Sequence, residues 1–128
     1  MILLDTHAWL WMAADPDRLS SAARSALKEA DRIGVCTISC WEVGMLVVAG
    51  RIRIDREPRH WIRQALAADR VEPVPLSAET AISAAVLPSG FAGDPADRII
   101  YATAVDLGVP LLTRDRRIRA FDRQRTIW

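Results

Sequence analysis

The sequence predicts an α/β fold with a mainly parallel sheet that carries helices on both faces. Short apolar runs typical of buried strands alternate with longer segments in which apolar residues recur at helical spacing. Strands separated by helices pair in parallel, because each helix returns the chain to the same end of the sheet. The 128 residues contain no linker, repeat or low-complexity tract, so we expect a single domain over residues 1–128.

The first half of the chain is predicted to contain two strands and three helices. Residues 2–4 and 33–38 are continuous apolar segments with the composition of buried strands. Helices are expected over residues 8–14, 19–30 and 40–49. Ser20 or Ser21 lies near the N-cap of the second helix, and Gly50 follows the third in the position that favours glycine.

The second half continues the alternation. We expect helices over residues 58–68, from a Ser77 cap to residue 86, and from Asp94-Pro95 to Gly108. Strands are expected over residues 71–76, 109–113 and 126–128. Two prolines interrupt the first of these, which places it at an edge of the sheet because proline cannot donate to a neighbouring strand.

The composition is that of an ordinary globular chain without a strong net charge. Seventeen basic residues, all arginine except Lys28, balance sixteen acidic ones to give +1, so binding of a polyanion would depend on local patches. Cys36 and Cys40 form neither a disulfide framework nor a metal-finger pattern, and we expect buried, reduced thiols. There is no signal-peptide pattern and no apolar run of membrane-spanning length, which predicts a cytoplasmic protein.

Four acidic residues lie close behind predicted strands. Asp5 follows the first strand directly, Glu42 follows the second at the start of a helix, and Asp115 follows the strand that ends near Thr113. Asp97 lies in the first turn of the helix that Asp94 opens. In open α/β sheets, ligands bind beyond the carboxyl ends of the strands, so we expect the four carboxylates to converge at that edge.

Each acid also has a local structural explanation, because acidic residues stabilise helix N-termini. These explanations stay open from the sequence alone: a capping box formed by Ser39 and Glu42, an N-cap and N3 pair formed by Asp94 and Asp97, an N-cap at Asp5 or Thr6, and a turn at Asp115.

Taken together, the four acids indicate a metal site. Two carboxylates about 4 Å apart repel by about 4 kcal/mol at an effective dielectric constant near 20, so a cluster needs a neutralising cation. An all-oxygen set without histidine or cysteine suits Mg²⁺ or Mn²⁺ better than zinc. Such ions bind phosphate oxygens and activate water, which favours phosphodiester hydrolysis.

At these residues the chain resembles the PIN-domain family, and within it the VapC-type toxins of bacterial toxin–antitoxin pairs. Four segments in order and at suitable spacing carry the resemblance, which extends over essentially the whole chain. They are LLDTH at residues 3–7, ISCWEV at 38–43, GDPADRIIYATA at 93–104 and LLTRD at 111–115, and the final TIW at 126–128 also resembles the end of one subgroup.

The resemblance implies a three-layer α/β/α sandwich and a Mg²⁺- or Mn²⁺-dependent endoribonuclease that cleaves structured RNA such as a tRNA or rRNA loop. It also implies a homodimer and a cognate antitoxin protein whose C-terminal segment occupies the acidic groove. The residues to which it assigns roles are Asp5, Glu42, Asp97 and Asp115 as metal-binding and catalytic acids, with Thr113 and Asp94 as supporting residues.

Arginines crowd the C-terminal part of the chain, beside Asp115. They predict either a basic rim that receives the RNA backbone or a solvated helix face paired with neighbouring acids. The candidate RNA-binding residues are Arg98, Arg114, Arg116 and Arg117. Trp9 and Trp41 are expected in the core or a dimer face, and His7 is expected to be structural because no serine or cysteine motif accompanies it.

Other function classes have less support from the sequence. A dehalogenase-like phosphatase requires an aspartate two residues after Asp5, where His7 stands, and a receiver domain requires a lysine after a late strand. No glycine-rich phosphate loop is present. The main alternative is a catalytically silent PIN-like module that binds RNA or a protein partner. A nuclease that processes RNA without an antitoxin also stays open.

Overall fold

The computed structural model describes residues 1–128, which form a five-stranded sheet with seven α-helices. The strands are β1 (Ile2–Leu4), β2 (Ile33–Cys36), β3 (Val71–Val74), β4 (Leu111–Leu112) and β5 (Thr126–Ile127). The helices are α1 (Thr6–Ala14), α2 (Ser21–Glu29), α3 (Thr37–Val48), α4 (Pro58–Leu66), α5 (Ala78–Ala85), α6 (Pro95–Leu107) and α7 (Arg116–Phe121), and a short 3-10 helix lies at Pro16–Arg18. None of the helices is long and apolar enough to cross a membrane.

All strand pairs are parallel, in the order β3-β2-β1-β4-β5, which confirms the predicted fold class. The chain moves outward from β1 to β3 on one side and then returns to the other side through β4 and β5. Strand β3 is an edge strand, as its prolines predict, and Pro73 lies opposite Val35 of β2. The carboxyl ends of β1, β2 and β4 therefore lie side by side at the centre of one sheet edge.

Two hydrophobic cores cover the two faces of the sheet, because successive side chains of a strand point to opposite faces. Ile2 and Leu4 pack on one face with residues of α1, α2, α3 and α4, while Leu3 packs on the other face with residues of α6 and α7. Trp9 is fully buried in the first core, as predicted, with its ring centroid 5.5 Å from that of Trp61. This arrangement is the expected three-layer sandwich.

The main difference from the predicted elements lies at the junction of β2 and α3. The strand ends at Cys36, and the helix begins at Thr37 rather than at residue 40. β-Branched residues at positions 37 and 38 favoured a longer strand. The pairing of β2 ends where Cys36 meets Val74, however, so the chain enters the helix there.

Trp41 does not pack into the core, contrary to one of the two expectations for it. Its side chain is 59% exposed on α3, and Met45 and Val48 are exposed on the same helix. Both cysteines are free thiols, as expected, but only Cys36 is fully buried. Burial raises the pKa of the Cys36 thiol to about 11. Cys36 is therefore protonated at neutral pH and unreactive.

Candidate active site

The four predicted acids line one cavity of about 450 Å³ at the carboxyl ends of β1, β2 and β4. Asp5 follows β1, Glu42 lies on α3 after β2, and Asp115 follows β4, while Asp97 enters from the first turn of α6. The structure thus brings the four acids together as the topology predicts. The other lining residues are Thr6, His7, Trp11, Asp94, Arg114, Arg116 and Arg117.

Asp5 is both a helix cap and a member of the acidic cavity. Its Oδ1 accepts a hydrogen bond of 2.7 Å from the backbone N–H of Ala8, which fixes the start of α1. Burial raises the pKa of Asp5, and the negative charge of Glu42 adds to this rise. Hydrogen bonds from Thr113 and Ala8 act in the opposite direction. The capping role and the site role therefore coexist.

Thr113 connects two of the acids, which matches its predicted supporting position. The side chain is fully buried, and its hydroxyl lies near enough to the Asp5 carboxylate to lower the pKa of that carboxyl. The same oxygen accepts a 3.0 Å hydrogen bond from the backbone N–H of Asp115. A single buried hydroxyl thus lies between Asp5 and the turn that carries Asp115.

Glu42 does not take part in a capping box, so that local explanation is wrong. It lies in the second turn of α3, and Ser39 is inside the helix rather than at its cap. The Ser39 hydroxyl is buried and accepts a 2.9 Å hydrogen bond from the Thr6 hydroxyl. The half-buried Glu42 carboxylate makes no hydrogen bond or ion pair within the chain and faces the cavity without a protein partner.

Asp94 and Asp97 form the expected capping box at the start of α6. Asp94 Oδ1 accepts from the Asp97 N–H at 2.8 Å, and Asp97 Oδ2 accepts from the Asp94 N–H at 3.2 Å. Burial raises the pKa of Asp97 to about 7, and repulsion from Asp94, Glu42 and Asp115 contributes. The surroundings of Asp97 therefore oppose its ionisation, as burial does for Asp5.

Asp115 is held by an arginine rather than left free. It caps α7 by accepting from the Arg117 N–H at 2.7 Å, and its Oδ2 lies 3.0 Å from Arg117 Nη2. Burial raises the pKa of Asp115, but the hydrogen bonds from Arg117 and Ile118, together with the Arg117 charge, outweigh burial and hold that pKa below its usual value. The basic rim and the acidic cavity therefore meet at this ion pair.

The donor atoms suit a hard divalent cation, although the side chains are not gathered around one point. No group of three or more His, Cys, Asp or Glu side chains is placed to hold a metal ion as it stands. Asp5 and Asp97 each have one oxygen bound to a backbone N–H, and Asp115 is turned toward Arg117. The oxygen-only donor set and the mutual repulsion of the acids fit Mg²⁺ or Mn²⁺. Binding would require side-chain rotation, chiefly at Asp115.

Three of the four candidate RNA-binding arginines reach the cavity. Arg114, Arg116 and Arg117 line it, and the Arg114 guanidinium lies 5.6 Å from the centre of the Trp11 ring. Arg98 does not line it. Its guanidinium instead donates to the carbonyl oxygens at the C-terminal end of α5 and beyond, those of Ala84 (3.1 Å), Ala85 (3.4 Å) and Leu87 (3.2 Å).

Two residues beside the acids, His7 and Gly93, were given no role at the site from the sequence, and His7 was expected to be structural. His7 is exposed on the rim and its ring packs against that of Trp11, with centroids 5.8 Å apart. Gly93 lies so close to Asp97 that a Cβ atom there would be 2.8 Å from Asp97 Cβ and 2.6 Å from Phe91 Cε1. The glycine preceding the Asp-Pro pair was the only available signal for this contact.

The sequence matches the PIN domain family over residues 2–124. Ribonuclease VapC22 of Mycobacterium tuberculosis (strain ATCC 25618 / H37Rv) is 42% identical over 129 residues, which cover 99% of this chain and 98% of that protein. The structure of VapBC2 from Rickettsia felis bound to a promoter DNA fragment has a TM-score of 0.69 at 15% identity, covering 98% of this chain and 97% of that one. A toxin–antitoxin complex from Klebsiella pneumoniae has a TM-score of 0.68 at 19% identity, covering 100% and 97%. These two structural similarities support the fold alone.

Proposed function

This chain belongs to the PIN-domain family, and on that premise we propose that it is a metal-dependent endoribonuclease, the toxin of a toxin–antitoxin pair. The observation that carries the proposal is the position of Asp5, Glu42, Asp97 and Asp115 around one cavity at the sheet edge. The similarity to a VapC ribonuclease over nearly the full chain supports the same activity. Hydrolysis of an RNA phosphodiester bond is the reaction that this set of groups suits.

Asp5, Glu42, Asp97 and Asp115 would hold Mg²⁺ or Mn²⁺, with Asp94 and Thr113 in support. When bound, such an ion polarises a phosphate oxygen and lowers the pKa of water. The chain positions two of its acids in advance: the backbone N–H of Ala8 orients Asp5, and the backbone N–H of Asp94 orients Asp97. Glu42 has no partner within the chain and is free to turn toward the cation.

Arg114, Arg116 and Arg117 are the groups that would orient the RNA, since they line the same cavity as the acids. Guanidinium groups bind phosphate through two parallel hydrogen bonds, which fixes a strand as well as neutralising it. Arg117 already contacts Asp115, so the arriving phosphate and Asp115 compete for it. The expected RNA is a tRNA or rRNA loop with unpaired nucleotides that can enter an open cavity.

The partner protein of this proposal is a cognate antitoxin that covers the acidic cavity. Two of the structures with similar folds are toxin–antitoxin complexes. The Arg117–Asp115 pair shows that the site can accommodate a guanidinium group against a carboxylate, and an antitoxin arginine would use the same chemistry. A segment that occupied the cavity in this way would exclude both the metal ion and the RNA.

We also propose a homodimer that buries an apolar stripe on α3. Trp41, Met45 and Val48 follow one another at spacings of four and three residues, so they lie on one side of the helix, and their side chains are 59%, 48% and 84% exposed. The expected result is a dimer by light scattering, and Met45→Arg should convert it to a monomer because a charge is costly to bury in an apolar interface.

A cleavage assay tests the ribonuclease. The protein, freed of any antitoxin, is incubated with total cellular RNA and Mg²⁺ or Mn²⁺, with parallel reactions in EDTA. Asp5→Asn and Asp97→Asn are the test variants, because asparagine keeps a capping oxygen but removes the charge. Asp69→Asn is the matched control, since Asp69 is an exposed acid away from the cavity.

We expect discrete products that disappear in EDTA and with either test variant but persist with the control variant. Mapping the ends of the products identifies the RNA. Binding of RNA without any cleavage, in folded and metal-supplemented protein, would favour the silent binding module. Cleavage that survives EDTA and both test variants would contradict the assignment of the four acids.

A further inference from the structure

A second cavity, of about 440 Å³, adjoins the acidic one and is lined mainly by arginine. It lies over α7 and the start of β5, and no acidic side chain contributes to its wall. Its lining residues are Arg116, Arg119, Ala120, Arg123 and Thr126. Arg116 lines both cavities, so the acidic and basic cavities meet at this side chain.

The arginines of this cavity have no carboxylate partner. Arg117 pairs with Asp115 at 3.0 Å, and Arg125 pairs with Asp122 at 3.4 Å. In contrast, the side chains of Arg116, Arg119 and Arg123 form no ion pair and donate no hydrogen bond within the chain. The neighbouring acids are thus already used by other arginines. The positive charges of these three arginines line one cavity and repel one another, so binding of an external anion would be favourable.

The lining favours the phosphate backbone of a nucleic acid over a protein segment. Ala120 is the only apolar residue in the wall. Protein interfaces rely on buried apolar or aromatic anchors, which this cavity cannot accommodate. Phosphate groups need only cations and hydrogen-bond donors, and unpaired guanidinium groups supply both.

We propose that this arginine cavity binds the phosphates of the RNA strand on one side of the bond that is cleaved. The inference rests on the proposed ribonuclease function, which places the scissile phosphate at the acids. A strand that leaves the acidic cavity past Arg116 reaches Arg119 and Arg123 next. These two residues hold the flanking strand, and the acids act on the bond that lies in the acidic cavity.

A binding assay without cleavage tests this proposal. A fluorescently labelled, unstructured single-stranded RNA is titrated with protein in EDTA over a series of salt concentrations. The test variants are Arg119→Ala/Arg123→Ala and Arg119→Gln/Arg123→Gln, the second of which keeps much of the side-chain length. The control is Arg59→Ala/Arg63→Ala, which removes the same charge from α4, a helix that packs beside β3 at the opposite edge of the sheet.

We expect both test variants to raise the Kd about tenfold, since each lost phosphate contact is a charge-assisted hydrogen bond. The slope of log Kd against log salt should fall by about 1.4, because each contact with a single strand contributes about 0.7. The control should keep both values of the parent protein. Under cleavage conditions the loss should fall on KM much more than on kcat, which a merely structural role would not produce.

An unchanged Kd and salt slope in folded test variants would overturn the proposal. An equal loss of RNA affinity in the control variant would also overturn it, because that loss would reflect net charge alone. Selective loss of binding to an acidic protein partner, with RNA binding intact, would also overturn it. Failure of the proposed ribonuclease function is distinguishable from failure of this proposal. In that case the parent protein would cleave no RNA, while the binding experiment would still report on the arginines.

Discussion

Replacement of Gly93 by alanine should disturb the acidic site more than the fold. A Cβ atom at position 93 would lie 2.6 Å from Phe91 Cε1 and 2.8 Å from Asp97 Cβ, and both distances are shorter than a real Cβ contact. Phe91 cannot move away easily, because it is buried between Tyr101 and Phe121 with ring centroids 4.9 and 5.3 Å away. The first turn of α6 must therefore shift, and Asp97 shifts with it.

The size of the effect follows from these distances. To reach an ordinary contact of at least 3.4 Å, the added carbon and its neighbours must separate by 0.6 to 0.8 Å. Overpacking of this kind destabilises a protein by about 1–3 kcal/mol, which lowers the Tm by roughly 4 °C per kcal/mol in a domain of this size. A displacement approaching 1 Å at a reacting group reduces the rate by up to about 100-fold.

Gly90→Ala is the matched control, since no atom lies within 4 Å of a Cβ at that position. Thermal unfolding measures stability, and RNA cleavage at saturating Mg²⁺ measures activity. We expect Gly93→Ala to lose about 10- to 100-fold in activity while it stays folded at the assay temperature. If both variants retain parental activity and Tm, the argument that Gly93 sets the position of Asp97 is wrong.

Three further predictions concern single side chains. Asp5→Ala should lower the free energy of unfolding by about 1 kcal/mol through loss of the α1 cap, whereas Asp5→Asn should keep most of that stability. Denaturant unfolding measures both variants, and equal free energies of unfolding would contradict the capping role. The pKa of Asp97 is raised in the folded protein to about 7 from 3.8, so in EDTA the folded state binds this proton more tightly than the unfolded state. The contribution of Asp97 to stability is therefore fully present below its unfolded value and is lost as the pH rises through about 7. Asp97→Asn should flatten the dependence of Tm on pH between about 5 and 8, and a variant that keeps the parental slope would show that another group titrates in this range. Arg98→Ala should lower stability by about 1–3 kcal/mol, because three carbonyl groups lose a charged donor. The salt slope of RNA binding should not change in Arg98→Ala, and a decrease would restore Arg98 as an RNA contact.

The sequence predicted those features of the structure that depend on residues close together along the chain. The spacing of Asp94, Pro95 and Asp97 predicts a capped helix start, and the structure has a capping box there. The parallel direction of the strands follows from the β/α alternation, which is why the sequence predicts that the acids lie at one edge of the sheet.

What the sequence could not predict depends on contacts between distant elements. The end of β2 is set by its pairing with β3, so the start of α3 and the place of Glu42 within it were misjudged. Arg98 could have faced RNA, but α5 ends beside it and takes its guanidinium. The division of the C-terminal arginines into paired and unpaired sets depends likewise on the path of α7.

The capping roles of the acids have a consequence for how cells escape the proposed toxicity. The side chains of Asp5 and Asp115 each cap a helix start, so most substitutions there lower the amount of folded protein as well as the activity. Glu42 holds no backbone group. Spontaneous survivors of toxin expression that still accumulate full-length, soluble protein should therefore be enriched in Glu42 substitutions. The survivors with changes at Asp5 or Asp115 should show reduced protein levels.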